Sequence, residues 1–205
     1  MPRIQAAIPL SAGEIIRNRI AEILADELAY QDALNAVAAD DRVTVWMERS
    51  VPVSDVVEHP MVNVSFNGGP YTNQHQGSSA ADYTYHIDCY AYAVGTNADA
   101  DADSTAQVKL HRMLAVCRAI LEDTQYKTLA FNPGLISYRQ ITQVQIGKPD
   151  RMDTTNATFG RLTLLVKTIE SVALLPGVVL GGIDTHVTLE ETALGFRFTY
   201  NTPTV

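Results

Sequence analysis

The chain has 205 residues, of which 46% are hydrophobic and 19% are charged, and these values suit a globular protein with one sizeable core and some extensions. Its formal net charge of -8 argues against a nucleic-acid-binding surface, because such surfaces depend on Lys and Arg that neutralise phosphates. No stretch approaches the ~20 apolar residues of a membrane span, and the start lacks the apolar run of a signal peptide. We therefore expect no membrane association and no secretion.

A long amphipathic helix is predicted near the start of the chain. Ser11 followed by Glu14 is the capping-box pattern of a helix N-terminus. Apolar residues then recur at helical spacing, at Ile15, Ile16, Ile20, Ile23, Leu24 and Leu28. This stripe predicts a helix that lies on another element of the core, runs as far as residue 37 and ends near Asp40 and Asp41.

Two short strands are predicted next, at residues 42–48 and 61–66, because apolar and polar residues alternate in both. The prolines between them, Pro52 and Pro60, favour an irregular connection at residues 50–60. Residues 67–81 are rich in Gly, Asn, Gln and Ser and predict a long loop. Such loops are functional or disordered, so ordering against a partner and plain flexibility both stay open.

The central block begins with a predicted strand at residues 83–94. Tyr83, Tyr85, Ile87, Cys89, Ala91 and Ala93 fall on one face of this strand, and Thr84, His86, Asp88, Tyr90 and Tyr92 fall on the other. A helix at 104–122 follows, with Ser104 and Gln107 as a second capping box. Two more strands are predicted at 136–146 and 159–169. The first of these changes phase between Tyr138 and Ile141, which indicates a bulge.

Beyond Pro176, two alternating runs predict a C-terminal β-hairpin. A lone hairpin is marginally stable in water, so this one is expected to join the main sheet or a neighbouring subunit. The predicted fold class is therefore α+β, with a mixed or antiparallel sheet and two main α-helices packed on it. We expect a core domain at 1–175 with the loop insertion at 67–81, and a hairpin extension at 176–205. The candidate subunit-interface residues are Tyr71, His75, Phe196, Phe198 and Tyr200.

The sequence offers no complete catalytic or metal-binding motif. Asp99, Asp101 and Asp103 resemble the start of a calcium loop, but Ser104 and Leu110 stand where that loop needs Gly and Glu. The histidines and cysteines lack the paired spacing of zinc ligands, and neither a nucleophile elbow nor a phosphate-binding loop occurs. We therefore expect no catalytic residues, no metal and no cofactor.

Two smaller features allow alternative interpretations. His86, Asp88 and Tyr90 share one strand face and form either an acid–base cluster or a polar row at an interface, and such polar rows are far more common. Cys89 and Cys117 lie in a predicted strand and a predicted helix. They are expected to be buried free thiols of an intracellular protein rather than a disulfide.

The order of the predicted elements resembles the phage tail terminators, also called tail-completion or minor tail protein U-like proteins. The resemblance covers roughly residues 11–170. The matching residues are Glu14-Ile15-Ile16, Ile20 and Ile23-Leu24; Trp46-Met47-Glu48-Arg49 and Pro52; His59-Pro60-Met61-Val62-Asn63-Val64; Tyr85-His86-Ile87-Asp88-Cys89-Tyr90; and Phe159-Gly160-Arg161-Leu162. The C-terminal hairpin is an addition that the resemblance does not cover.

The resemblance implies a non-enzymatic virion protein of the tail or neck that is assembled in the host cytoplasm. It implies a homohexameric ring that caps the tail tube and joins it to the head–tail connector protein, while DNA passes through the ring without specific binding. Its partners would be copies of itself, the tail tube protein and the connector. Two alternatives stay open: another ring component of the head–tail neck, and a small α+β enzyme that uses His86, Asp88 and Tyr90.

Overall fold

The computed structural model describes residues 10–49, 60–75, 78–93, 100–147 and 156–171. These residues form two α-helices and one six-stranded mixed sheet, which confirms the α+β class. The helices are α1 (Ala12–Leu34) and α2 (Ala100–Glu122). The strands are β1 (Thr44–Met47), β2 (Met61–Phe66), β3 (Tyr71–His75), β4 (Ser78–Ala93), β5 (Ile136–Gly147) and β6 (Asn156–Ser171). Within the described residues, no helix is long and apolar enough to span a membrane.

The sheet is organised around β4 and β6, two 16-residue strands that pair antiparallel along their whole length. Its strand order is β1-β2-β4-β6-β5, and β3 lies beside the first residues of β4. The β1–β2 pair is parallel, and every other pair in this sheet is antiparallel. The outer strands of the main path are therefore β1 and β5.

Both helices pack on one face of the sheet, where the alternate residues from Tyr83 to Ala93 are buried as predicted. The capping box of α1 is also confirmed, since Ser11 and Glu14 exchange hydrogen bonds. The Tyr85 hydroxyl donates to the carbonyl oxygen of Gly13 at 3.1 Å and so ties α1 to β4. Gly160 of β6 lets α2 pack closely on the sheet, since a Cβ there would lie 2.7 Å from a side-chain methyl of Leu114.

The predicted loop at 67–81 is wrong in part, because it contains β3 and the first residues of β4. The long central strand supplies main-chain partners to this polar segment: the amide of Asn67 donates to Thr84, and the amide of Asp82 donates to Pro70. Gly69 permits this approach, since a Cβ there would lie 1.8 Å from the carbonyl oxygen of Asp82. Ladder bonds have thus outweighed weak strand propensity.

Two helix boundaries and the position of a bulge differ from the prediction. Helix α2 begins at Ala100, so Ser104 lies within it and does not cap its N-terminus. Helix α1 ends at Leu34, before the predicted end near Asp40 and Asp41. The bulge predicted between Tyr138 and Ile141 is misplaced, because pairing is regular there; β5 instead shifts register on either side, between Ile136 and Tyr138 and between Ile141 and Gln143. At each shift β5 advances by two residues while β6 advances by one, so the extra residue lies on β5.

Both cysteines are buried and free, as predicted. The predicted C-terminal hairpin and the connection at 50–59 lie outside the described residues.

Candidate functional site

The face of the sheet opposite the two helices, called here the polar face, carries the second set of β4 side chains predicted from the sequence. The strand register places a neighbour beside each of three of them: Ser65 beside His86, Asn63 beside Asp88, and Met61 beside Tyr90. On the other side of β4, Arg161 stands opposite Asp88 and Phe159 opposite Tyr90. None of the described helices covers this face.

An ion pair between Asp88 and Arg161 lies at the centre of the polar face. The Nε and Nη2 atoms of Arg161 donate to the two carboxylate oxygens of Asp88 at 2.6 and 2.8 Å. Asp88 is only 5% exposed, whereas the Arg161 side chain is 32% exposed. The hydrogen bonds to Asp88 also raise the pKa of Arg161. This two-pronged geometry pairs a buried carboxylate with a guanidinium and joins β4 to β6.

Aromatic rings surround the ion pair. The Arg161 guanidinium lies 5.6 Å from the centre of the Phe159 ring, and the Phe159 and Tyr90 rings are 5.1 Å apart. Towards β1, the Arg49 guanidinium lies 4.2 Å from the Trp46 ring. Such cation–ring contacts contribute about 0.5–1 kcal/mol each where water has access. The polar face is therefore a row of paired charges and rings at the level of Asp88.

The proposed acid–base cluster has a different character in the structure. His86 lies on the same face as Asp88, but both oxygens of Asp88 accept hydrogen bonds from Arg161, a partner that the sequence analysis missed. Burial lowers the pKa of His86, and the nearby Arg161 acts in the same direction. Burial, with the charge of Asp88, raises the pKa of Tyr90 to about 12. This arrangement favours a neutral His86 and a neutral Tyr90 around an ion pair, which is typical of a packed polar row.

The signal that could have found Arg161 is its place in the strand alternation. Arg161 falls between Gly160 and Leu162 on the face opposite the buried residues of its strand. A charged residue at the centre of a sheet needs a partner of opposite charge. The register that brings Asp88 next to it becomes known only once β4 and β6 are aligned.

The candidate interface residues of the sequence analysis lie at two places. Tyr71 begins β3 and is 52% exposed, and its hydroxyl accepts a hydrogen bond from Tyr83 at 3.3 Å. His75 ends β3 and pairs with Ser78 in the ladder. The structure therefore places both on the hairpin of β3 and β4. The remaining three, Phe196, Phe198 and Tyr200, lie outside the described residues.

The outer strands expose apolar side chains that were not singled out as interface residues. On β1, Met47 is 50% exposed, and on β5 Val144 and Ile146 are 46% and 49% exposed. All three lie on the helix side of the sheet but beyond the region that the helices bury. Their exposure results from position at the sheet edges, which alternation alone does not reveal.

A cavity of about 460 Å³ lies between the end of α1, the residues before β1, and α2. Its lining includes the apolar side chains of Leu28, Val43 and Met113. At its rim, Lys109 Nζ and Asp41 Oδ1 form an ion pair at 2.6 Å. In the part of the chain that the structure describes, no three His, Cys, Asp or Glu side chains come together as a metal site would require.

Known protein-family models include none that matches this chain, and no curated protein sequence matches it.

Proposed function

We propose that this protein is a phage tail terminator, which assembles as a ring, caps the tail tube and joins it to the head–tail connector. The observation that carries the proposal is the exposure of apolar side chains along both outer strands of a single sheet. A sheet of this kind has two different edges available for association with further copies. The order of elements resembles that of the tail terminators, and this resemblance suggests that the associated copies form a ring at the end of a tail tube.

Exposed apolar groups on outer strands favour assembly because an unpaired strand edge is a template for another chain. Met47 on β1 and Val144 and Ile146 on β5 would each lose water-exposed apolar area on contact with a neighbour. The gain is about 25 cal/mol for each Å² of apolar surface buried. Apolar surface on both edges therefore favours contacts with two neighbouring copies.

The hairpin of β3 and β4 provides a second type of contact surface. In the described sheet β3 pairs with β4 alone, and its opposite side is unpaired by any described strand. Tyr71 presents an exposed ring there, held in an edge-to-face contact with Tyr83 at 6.3 Å. An anchored aromatic ring is a good contact residue, because little side-chain freedom remains to be lost on binding. We assign this hairpin to contacts with the tube or the connector.

The overall charge supports the same proposal. A formal net charge of -8 repels the phosphate backbone of DNA. A ring through which DNA passes needs a surface that does not retain it, and an acidic chain meets that need.

The test is to add the full-length chain to growing tail tubes of the same phage and to measure tube length by electron microscopy. We expect tube growth to stop, so that the mean length falls as the protein concentration rises. The Arg118→Met variant is the matched control, since Arg118 forms an exposed ion pair with Glu122 within α2 and lies on neither outer strand. It should cap tubes as the natural chain does.

A chain that ends at Pro176 tests the C-terminal extension in the same assay. We expect it to fold but to cap tubes poorly. Equal capping by the two forms would mean that the extension is dispensable. Unchanged tube length with the full chain would contradict the terminator proposal, and binding to the connector without any effect on tube length would instead identify another ring component of the neck.

A further inference from the structure

We infer that successive copies of this chain join by antiparallel pairing of β5 of one copy with β1 of the next, in a defined register that places Val144 beside Met47. The inference rests on the proposed ring and specifies how its subunits meet. Three features of β1 and β5 match: each has an edge without a described partner, the two run in opposite directions, and their residues lie in the same rows across the sheet.

The first match is that both strands have an edge without a described partner. β5 pairs with β6 on one side, and β1 pairs with β2 on one side. Natural sheets usually protect such edges with charged residues or proline. The twelve residues of β5 contain one charged residue, Arg139, and no proline, and the four residues of β1 contain neither. Both edges are therefore suited to pairing with another strand.

The second match is in strand direction. β1 and β2 are parallel, whereas β2, β4, β6 and β5 are antiparallel from each strand to the next. β5 consequently runs opposite to β1 within one copy. When a second copy continues the sheet in the same orientation, its β1 lies antiparallel to β5 of the first copy. Antiparallel pairing is the more stable of the two arrangements for each residue.

The third match is in the position of residues along the strands, since the register of all five strands aligns the two outer strands in common rows. One row across the sheet consists of Met47, Val64, Ile87, Leu162 and Val144, and a second row consists of Val45, Val62, Cys89, Gly160 and Ile146. Each row lies on the helix side of the sheet. Consider a second copy that continues the sheet sideways, with no shift along the strand direction. Its Met47 would lie beside Val144 of the first copy, and its Val45 beside Ile146.

The side chains at these ends are apolar and incompletely buried. Within one copy, about half of each residue is exposed: 50% for Met47, 46% for Val144 and 49% for Ile146. Cross-strand apolar pairs of this kind contribute about 0.2–1 kcal/mol each. The pairing would extend the buried layer under the helices from one copy into the next.

The main chain of β1 is also available for this pairing. The amides of Thr44 and Glu48 donate towards β2, to Pro60 and Val64. Because alternate residues of a strand direct their amide and carbonyl groups to opposite sides, those of Val45 and Met47 point away from β2. These groups would form ladder bonds with β5. Since the two surfaces differ, the contact is head-to-tail, and it generates a ring when the rotation between copies closes.

The test is a double variant, Met47→Cys with Val144→Cys, which is oxidised with diamide, a diazene that oxidises thiols. Directly opposed residues of an antiparallel pair have Cα atoms about 4.5–5.5 Å apart, a separation that a disulfide can span. Two thiols lose two protons and two electrons to form one disulfide between copies, and diamide takes up both to become the hydrazine. Cys89 and Cys117 are buried, so the natural chain serves as the background control.

We expect a ladder of covalent oligomers from the double variant on a non-reducing gel, and no ladder from either single variant. Light scattering of the unoxidised natural chain, alone and with tube protein, gives the mass of the assembly. A ring mass without a ladder would overturn the inference and leave the terminator proposal standing. Monomers under both conditions, with no ladder, would overturn the inference and the proposed ring together.

A second variant provides an independent test. Val144→Lys places a charge at the proposed contact and should reduce the fraction of assembled protein at least tenfold. Val108→Lys is the matched control, because Val108 is an exposed valine on α2, outside both rows. Assembly of Val144→Lys at the level of the natural chain would contradict the inference.

Discussion

Loss of the ion pair on the polar face is expected to destabilise the fold. Replacing Arg161 with Met keeps much of the side-chain volume but removes the partner of a carboxylate that is 5% exposed. Asp88 would then be desolvated without a compensating charge. Among the ion pairs of the described residues, we expect Arg161→Met to be the most destabilising single change.

The magnitude follows from the burial of the two partners. Removing one member of a fully buried pair typically costs about 3–5 kcal/mol. The Arg161 side chain retains 32% exposure, so water can approach the remaining carboxylate. We therefore expect a lower loss of about 2–3 kcal/mol in the free energy of unfolding. The double variant Asp88→Asn with Arg161→Met should lose less than the sum of the two single variants, because it leaves no unpaired charge.

Urea denaturation at one protein concentration measures these differences. Arg118→Met is the control, since the Arg118–Glu122 pair is exposed on α2 and should contribute about 0.5 kcal/mol or less. If Arg161→Met costs no more than Arg118→Met, or if the single losses simply add, the assigned role of the ion pair is wrong.

Three further outcomes can be measured on the same protein. Gly69→Ala should lower the free energy of unfolding by about 2–4 kcal/mol in urea denaturation, because its Cβ would meet a main-chain oxygen of β4. Gly147→Ala, whose Cβ would make only ordinary contacts, should be close to neutral. Burial lowers the pKa of His86, so the unfolded chain binds protons more readily below about pH 6.5 and stability falls there. His86→Gln should lose less stability than the natural chain between pH 7 and pH 5, and equal loss would contradict this. The hydrogen bond between Cys89 and Cys117, together with burial, raises the pKa of Cys89, so both thiols should react with Ellman's reagent only on unfolding. Rapid reaction of the native chain would refute that.

The regular parts of the fold were predictable because alternation and helical spacing report directly on burial. The stripe from Ile16 to Leu28 and the alternate residues of β4 and β6 are buried as their spacing indicates. The capping box at Ser11 also forms, since it depends on residues three positions apart. These features are local, and their physical causes act within a few residues of the chain.

The boundaries that were missed depend on partners distant in sequence. β3 forms in a polar segment because β4 extends past the helices and offers main-chain groups to it. The earlier start of α2, at Ala100, is a boundary that capping patterns place poorly, since Ser104 and Gln107 match the motif by chance within the helix. Neither feature is encoded in the periodicity of its own segment.

The sequence by itself therefore determined the fold class, the two helices and which residues of β4 and β6 face the core, because side-chain burial follows local periodicity. Only the tertiary structure decided that Asp88 meets Arg161, and that Met47 and Val144 end the same row of one sheet. Strand order and register arise from pairing between segments far apart in the chain, which no local pattern specifies. The candidate surfaces of this protein are products of that pairing.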